Sequence, residues 1–325
     1  MNESAEDAGI SVVVPVYNSA DTLAPLVGDL ERVLVGSGLP FEVILVNDGS
    51  RDSSWARIVE LAARFSYVRG VDLMRNYGQH SAVLAGVREA RYAVVVTMDD
   101  DLQHPPEEIP KLLAKLGEGY DVVYGVPTHE QHGLWRDLAS RLTKAALAGA
   151  MGVANARNVS AFRAFRTRLR DAFAACQGPF VSMDALLSWG TTRFGAVQVR
   201  HEPSKRARSN YTLATLLTHA LNMATGFSAL PLQVASVVGF VCTLGGAAVL
   251  VYVIGRYLVQ GGSVPGFSFL ASIIAVFSGA QLFTLGVMGE YLARVHFRTM
   301  GRPALAVRQR VASSEAARRS GAAPE

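Results

Sequence analysis

Charge is scarce in this sequence, and the scarcity is local. Lys, Arg, Asp and Glu make up 18% of the 325 residues, below the roughly 25% usual in soluble domains. Between Ser209 and Gly289 the only charged side chain is Arg256. Within that stretch Leu230–Ile254 and Phe267–Gly289 are uncharged runs of 25 and 23 residues. As helices they would be about 37 and 34 Å long, enough to cross a hydrocarbon core of about 30 Å. Buried core helices of that length rarely lack charge altogether, so the spacing predicts two transmembrane helices over 229–257 and 266–292. Cysteine is nearly absent: Cys176 and Cys242 are the only two. That suits a reducing compartment, and with Cys242 inside an apolar run no structural disulfide is expected. A basic-then-apolar leader is missing as well. Residues 1–9 are acidic and polar, so no signal peptide is expected. The formal net charge of +4 comes without an aromatic-basic module, which argues against a nucleic-acid partner.

The basic residues flank the apolar pair. Lys205, Arg206 and Arg208 precede it, and Arg294, Arg298, Arg302, Arg308, Arg310, Arg318 and Arg319 follow it against Glu315 and Glu325. The positive-inside bias places both ends in the cytoplasm. The tail, residues 293–325, then meets anionic lipid headgroups. Two further segments carry an apolar face: 134–150 reads as a basic amphipathic helix at the membrane surface or packed on the domain, and 209–228 as a juxtamembrane segment or an extension of the first span.

The first 126 residues alternate strand and helix patterns. Strands are predicted at Ile10–Val16, Phe41–Val46, Val68–Leu73, Tyr92–Met98 and Asp121–Val126, and helices at Asp21–Val35, Asp52–Phe65, His80–Ala90 and Pro105–Leu116, with Asp52 or Ser53 as N-cap of the second helix. Continuous apolar strands alternating with helices imply a parallel sheet covered on both faces. Ligands bind such sheets at the carboxyl ends of the strands. Polar clusters fall at four of those ends: Pro15-Val16-Tyr17-Asn18, Asn47-Asp48-Gly49-Ser50, Arg75-Asn76-Tyr77-Gly78-Gln79 and Asp99-Asp100-Asp101. One cluster would be an ordinary turn. Four at one edge make a binding site. Three adjacent carboxylates repel unless something positive balances them. In an extended segment Asp99 and Asp101 point to one side and Asp100 to the other, toward a backbone N–H or water. The pair either holds a cation or forms an acidic helix-capping turn.

Taken in order, VVVPVYN, VNDGS, RNYGQ and DDDLQHPPE, with a C-terminal hairpin ending MGEYLARVHFR, resemble the family 2 glycosyltransferases of the GT-A fold. Within these the chain is similar to the polyprenyl-phosphate glycosyltransferases, a group that includes dolichol-phosphate mannose synthase and the bacterial undecaprenyl-phosphate sugar transferases with a two-span hairpin. The resemblance covers about residues 10–300. It implies an α/β GT-A catalytic domain over 1–208, a Rossmann-like mostly parallel sheet, followed by the membrane hairpin.

It also implies roles. Pro15, Tyr17 and Asn18 would lie beside the nucleotide, Asp48 at its base or ribose, and Gly78 and Asp100 in the same nucleotide-sugar site. Asp99 and Asp101 would be the DxD pair, with Asp101 reaching Mg²⁺ or Mn²⁺ on the diphosphate of a UDP- or GDP-sugar. Gln103 would border the sugar or acceptor pocket as part of the catalytic group. Arg163 of Phe162-Arg163 would stand near the phosphates. His201 and Ser209-Asn210-Tyr211 match a membrane-facing element, with Arg163, also one of the catalytic group, and Lys205, Arg206, Arg208 and Tyr211 toward the acceptor phosphate. The chain departs from the pattern in three places: Ala161 stands where Asp often precedes Phe-Arg, Asn210 where Lys is usual, and Ser204 where Arg is usual.

The implied reaction is inverting transfer of a sugar to a polyprenyl phosphate at the cytoplasmic membrane face, by a homo-oligomer, for envelope modification. The loss of a carboxylate at 161 is compatible with it. A phosphate monoester has a second pKa near 6 and is already a nucleophile at pH 7. It needs cationic positioning rather than a general base. A transferase acting on a hydroxyl would need that base, and a processive one a QxxRW-type element and more spans; neither is visible. A non-catalytic membrane scaffold is the remaining alternative, and the intact Asp99 and Asp101 argue against it.

Overall fold

A computed structural model describes residues 8–127, 158–174, 181–202, 230–260, 266–300 and 303–312. The Val- and Ile-rich runs build the sheet. β1 (Ile10–Val16), β2 (Phe41–Asn47), β3 (Val68–Leu73) and β4 (Val94–Thr97) are nearly all buried and pair in parallel in the order β4-β1-β2-β3. Helix spacing then sorts the covering layers. In α1 (Ala20–Val35) Leu23, Leu26, Leu30 and Leu34 share one stripe. They pack with Ile58 and Leu61 of α2 (Ser54–Arg64), with Leu112 and Leu116 of α4 (Ile109–Gly117), and with Val12, Val14 and Val43 of the sheet. The alternate sheet residues Val13, Ile44 and Val46 face a second core with α3 (Gln79–Glu89) and α5 (Met183–Gly190). A short 3₁₀ turn, Pro106–Glu108, precedes α4, because the prolines that open this helix supply no N–H to its first turn.

The chain therefore changes direction at β1. The connections through α1 and α2 run outward on one face, and α3 returns on the other to place β4 on the far side of β1. A parallel sheet opens a crevice at its carboxyl edge at such a point.

Beyond β4 the sheet is mixed. β6 (Arg163–Arg166) runs antiparallel between β4 and β5 (Val122–Pro127), and β7 (Phe194–Val199) pairs in parallel with β5. The other edge departs from the sequence reading more sharply. Val307–Ala312, in the stretch read as a lipid-binding tail, forms β8, antiparallel to β3 at the end of an eight-stranded sheet. Gly70 admits it: a Cβ there would lie 2.6 Å from Val311 Cγ2. Arg308 and Arg310 consequently meet Asp72 and Glu89 of the domain.

The apolar runs are helical, as α6 (Leu230–Gln260) and α7 (Phe267–Thr299). Gly246 of α6 lies so close to the Phe277 ring of α7 that a Cβ would be 2.5 Å from Phe277 Cζ. Among the described residues one segment is long and apolar enough to cross a membrane, Leu232–Arg256. The described part of α7 is interrupted by Gln281 and Glu290. Phe240, Leu244, Val251 and Leu258 of α6 and Leu282, Leu285 and Leu292 of α7 stand exposed, a larger apolar surface than water tolerates. The segments 134–150 and 209–228 lie outside the described residues, as do Cys176, Ser204, Lys205, Arg206, Arg208, Ser209, Asn210 and Tyr211.

Candidate active site

The crevice between β1 and β4 begins at Pro15. Alternation along β1 sends Val16 O to Asp48 N on the β2 side (2.9 Å) and Val13 O to Met98 N on the β4 side (3.2 Å). The nitrogen of Pro15 thus faces β4, where pairing stops at Thr97. A residue without an N–H costs nothing there, and β4 peels away into the carboxylate turn. Asp100, buried, ties the two ends together again: its Oδ2 accepts from the Tyr17 N–H (3.2 Å) and from the Ser19 hydroxyl. Its side chain thus turns to the Tyr17 N–H just past the end of β1. Tyr17 is left 41% exposed at the rim.

Three loops are locked beside it. Asn18 adopts a left-handed φ of 52°, as Asn tolerates. Its N–H donates to Ser50 Oγ (3.0 Å) and its Oδ1 accepts from Arg51 N (2.8 Å). Asp48 is buried, and its two oxygens accept from the N–H groups of Tyr77 (2.7 Å) and Gly78 (2.9 Å). Burial pushes its carboxyl up, and the two amides pull it back. Asp48 therefore holds the RNYGQ loop in place; no ribose or base contact is needed to account for its position. Gly49 is required twice over: its φ is +66°, and a Cβ would lie 2.5 Å from Asn76 N.

The carboxylate turn completes the crevice. Gln79 Nε2 donates to Asp99 Oδ1 (2.5 Å), and Asp101 Oδ1 accepts from Gln103 N–H (3.1 Å). Desolvation, then the carboxylates of Asp101 and Asp100, push the Asp99 carboxyl up to about 7, against the pull of Arg163 and Gln79. Leu102 is held at φ +61°, a strained value for a branched side chain, of the kind that clusters at functional sites. Among the described residues no three His, Cys, Asp or Glu side chains converge into a protein-only metal cage. Two carboxylates with open positions are the donor set that suits a hard divalent ion shared with diphosphate oxygens and water.

Arg163 is not placed as the sequence reading had it. Its side chain is 4% exposed and ion-paired with Asp184 of α5, and its Nε donates to Thr97 Oγ1 (3.2 Å). Tyr124 OH donates to the same Asp184 (3.0 Å), and the guanidinium lies 5.8 Å from the Tyr124 ring centre. A buried, paired arginine supports the floor under Asp99 electrostatically; it does not reach out to an acceptor phosphate. Asp184 is the residue that sequence reasoning missed. Its only sequence signal is an acidic residue at a helix start, after the N-cap Ser182, whose Oγ accepts from Ala185 N–H.

Gln103 joins the site through its backbone as well, since its C=O accepts from Glu202 N–H (2.8 Å). His104 beside it is buried, stacked on Phe162 (5.2 Å) and edge-on to the exposed His201 (4.9 Å). Burial and the His201 ring lower its pKa to about 4, and its Nδ1 has no hydrogen-bond partner among the described residues. These contacts pin the strand that leads toward Lys205 to the carboxylate loop.

Residues 11–178 match glycosyl transferase family 2. The undecaprenyl-phosphate 4-deoxy-4-formamido-L-arabinose transferase of Pseudomonas aeruginosa (strain LESB58) is 35% identical over 298 residues, 90% of this chain and 88% of that protein. The transferase of the same name from Yersinia enterocolitica is 34% identical over 310 residues, 93% and 94% of the two chains. Among solved structures, glucosyl-3-phosphoglycerate synthase from Mycobacterium tuberculosis, in complex with Mn²⁺, UDP and glucosyl-3-phosphoglycerate, is similar with a TM-score of 0.50 at 21% identity, over 68% of this chain and 78% of that one. That likeness is one of fold. On the match over more than half its length and on identity to relatives along almost all of it, this chain belongs to glycosyl transferase family 2.

Proposed function

We propose that the protein is an inverting, metal-dependent glycosyltransferase that moves a sugar from a nucleotide diphosphate sugar to a polyprenyl phosphate at the cytoplasmic membrane face. The observation that carries the reading is the carboxylate pair Asp99 and Asp101 at the β1/β4 crevice, on the edge of the sheet where the chain re-enters from α7. The relatives named as undecaprenyl-phosphate transferases support the acceptor. The Mn²⁺ and UDP bound by the M. tuberculosis synthase support the donor and the metal.

Asp99 and Asp101 would hold Mg²⁺ or Mn²⁺, which supplies positive charge to the leaving diphosphate. Tyr17 and Asn18, with the turn at Asp48, border the nucleotide. The acceptor phosphate falls to Lys205, Arg206 and Arg208, since Arg163 is committed to Asp184. Asp184 is in turn committed to Arg163 and Tyr124, so it offers no base for a hydroxyl acceptor, and a phosphate acceptor needs none. The apolar surfaces of α6 and α7 fit a two-helix anchor with both ends cytoplasmic, as the flanking basic residues favour.

The test is a donor screen. Purified protein with Mg²⁺ or Mn²⁺ and undecaprenyl phosphate is expected to release nucleoside diphosphate from one member of a panel of UDP- and GDP-sugars. Release from none, or release unaffected by omitting the lipid phosphate, would sink the proposal.

A further inference from the structure

We propose that the C-terminal strand β8 is a positioning element of the nucleotide side of the site; this rests on the donor reading above. Asp72 lies on β3 with its carboxylate buried. Its Oδ1 accepts from Asn47 Nδ2 (2.7 Å), and Asn47 Oδ1 accepts from Ser50 N–H (3.3 Å) inside the NDGS turn. Its Oδ2 faces the tail, with Gln309 Nε2 at 3.4 Å and Arg308 Nη1 at 3.5 Å. The tail thus supplies positive charge to the buried carboxylate that orients the turn carrying Asp48.

A second connection reaches the neighbouring loop. Met74 N–H donates to Ala306 O (2.9 Å), and Arg308 Nη2 donates to Met74 O (2.9 Å). Met74 begins the segment that continues into Arg75-Asn76-Tyr77-Gly78, whose amides Asp48 binds. Leu305 and Val307 pack on the same core as Tyr77. Residues more than 200 positions apart in sequence therefore hold one side of the crevice. A strand that merely covered the edge of β3 would need only its backbone bonds. These side chains converge on Asp72 and Met74 at the carboxyl end, while Arg310, one residue on, turns to Glu89 (2.8 Å).

The test uses the full-length protein in detergent, with binding of UDP and GDP in the presence of Mn²⁺ measured by calorimetry, the KM for undecaprenyl phosphate measured by nucleotide release with the donor that the screen above identifies, and melting temperature. Three variants are compared with the wild type: Arg308→Ala with Gln309→Ala, Asp72→Asn, and the control Arg310→Ala. Asp72→Asn keeps an oxygen for Asn47 but turns an amide toward Gln309 and Arg308, so it breaks the tail link alone. The expected result is nucleotide binding weakened about tenfold or more in the first two variants, acceptor KM unchanged, and wild-type binding in the control. If the double variant does not fold, Asp72→Asn carries the same expectation. Binding within twofold of wild type in a folded variant overturns the inference and leaves the donor reading intact. Equal weakening by Arg310→Ala also overturns it, since the strand would then act only as an edge. Wild-type protein that binds neither nucleotide overturns the donor reading and this inference with it.

Discussion

Asp101 and His104 sit three residues apart and show how differently one turn treats two titratable groups. Asp101 is partly open, beside an Asp99 whose carboxyl is raised to about 7; the proposed function has the pair share a cation. Asp101→Asn keeps the shape and removes the charge, so turnover is expected to fall at least about 100-fold, roughly 3 kcal/mol of transition-state stabilisation. Nucleotide release checks the rate, and circular dichroism checks that the fold is kept. His104 is buried neutral. The unfolded chain takes up its proton below about pH 6.5, the folded protein only below about 4. Between those values the unfolded state binds more protons, so stability falls as pH drops from 6.5 to 4, by about 3 kcal/mol at most from this group. Exchanging it for an aromatic that can keep the stack on Phe162, as in His104→Phe, should flatten that part of the melting-temperature profile. An unchanged slope would show that His104 titrates freely in the fold.

At the scale of elements, the site is held by loops locked to one another and by a buried network beneath them. Gly49→Ala puts a Cβ against the Asn76 amide at a left-handed φ, a strain of about 1–3 kcal/mol. Its effect is expected mainly on donor KM, since the displaced loops are those of Asp48 and Gly78, and steady-state kinetics with the donor varied will read it. Beneath β4 the pair Arg163–Asp184 is buried with Tyr124 and Thr97. Arg163→Met alone strands a buried carboxylate and should cost about 3–5 kcal/mol. Adding Asp184→Leu should restore a large part of that stability, because an apolar pair of similar volume replaces the ions. Thermal unfolding of the single and double variants measures the difference. Recovery of stability without recovery of activity would place the role of Arg163 in its charge beneath Asp99.

At the scale of the molecule, β8 ties the carboxyl edge of the sheet to the helix α7 that precedes it. Val307 pairs with Leu73 at the carboxyl end of β3. It lies eight residues beyond Thr299, the last residue of α7, a reach of about 27 Å at most when fully extended. The carboxyl end of β3 is therefore kept within that reach of the end of α7. Leu244→Arg, in the middle of Leu232–Arg256, carries an insertion cost of about 2.5–3.5 kcal/mol. The variant is expected to shift protein out of the membrane fraction on sedimentation; full retention would argue that α6 does not insert.

The sequence by itself determined the layers and the place of the site. Local signals did this: β-branched runs of strand length, leucines at helical spacing, and turn residues gathered at four strand ends, which the parallel topology brings to one edge. β1 and β3 appear with the predicted boundaries, and Asp99, Asp100, Asp101, Tyr17, Asn18 and Asp48 converge as the clusters implied. Only the tertiary structure decided which polar residues face the crevice and which hold it together. Arg163 and Asp184 neutralise each other across 21 positions of sequence, and no periodicity encodes such a pairing. β8 was equally illegible, because Val-Arg-Gln-Arg-Val-Ala has three polar residues in a row and no period-2 pattern to set it apart from a basic tail. Its strand character comes from the open edge of β3, the gap left by Gly70 and the buried carboxylate of Asp72, all of which exist only once the sheet has formed.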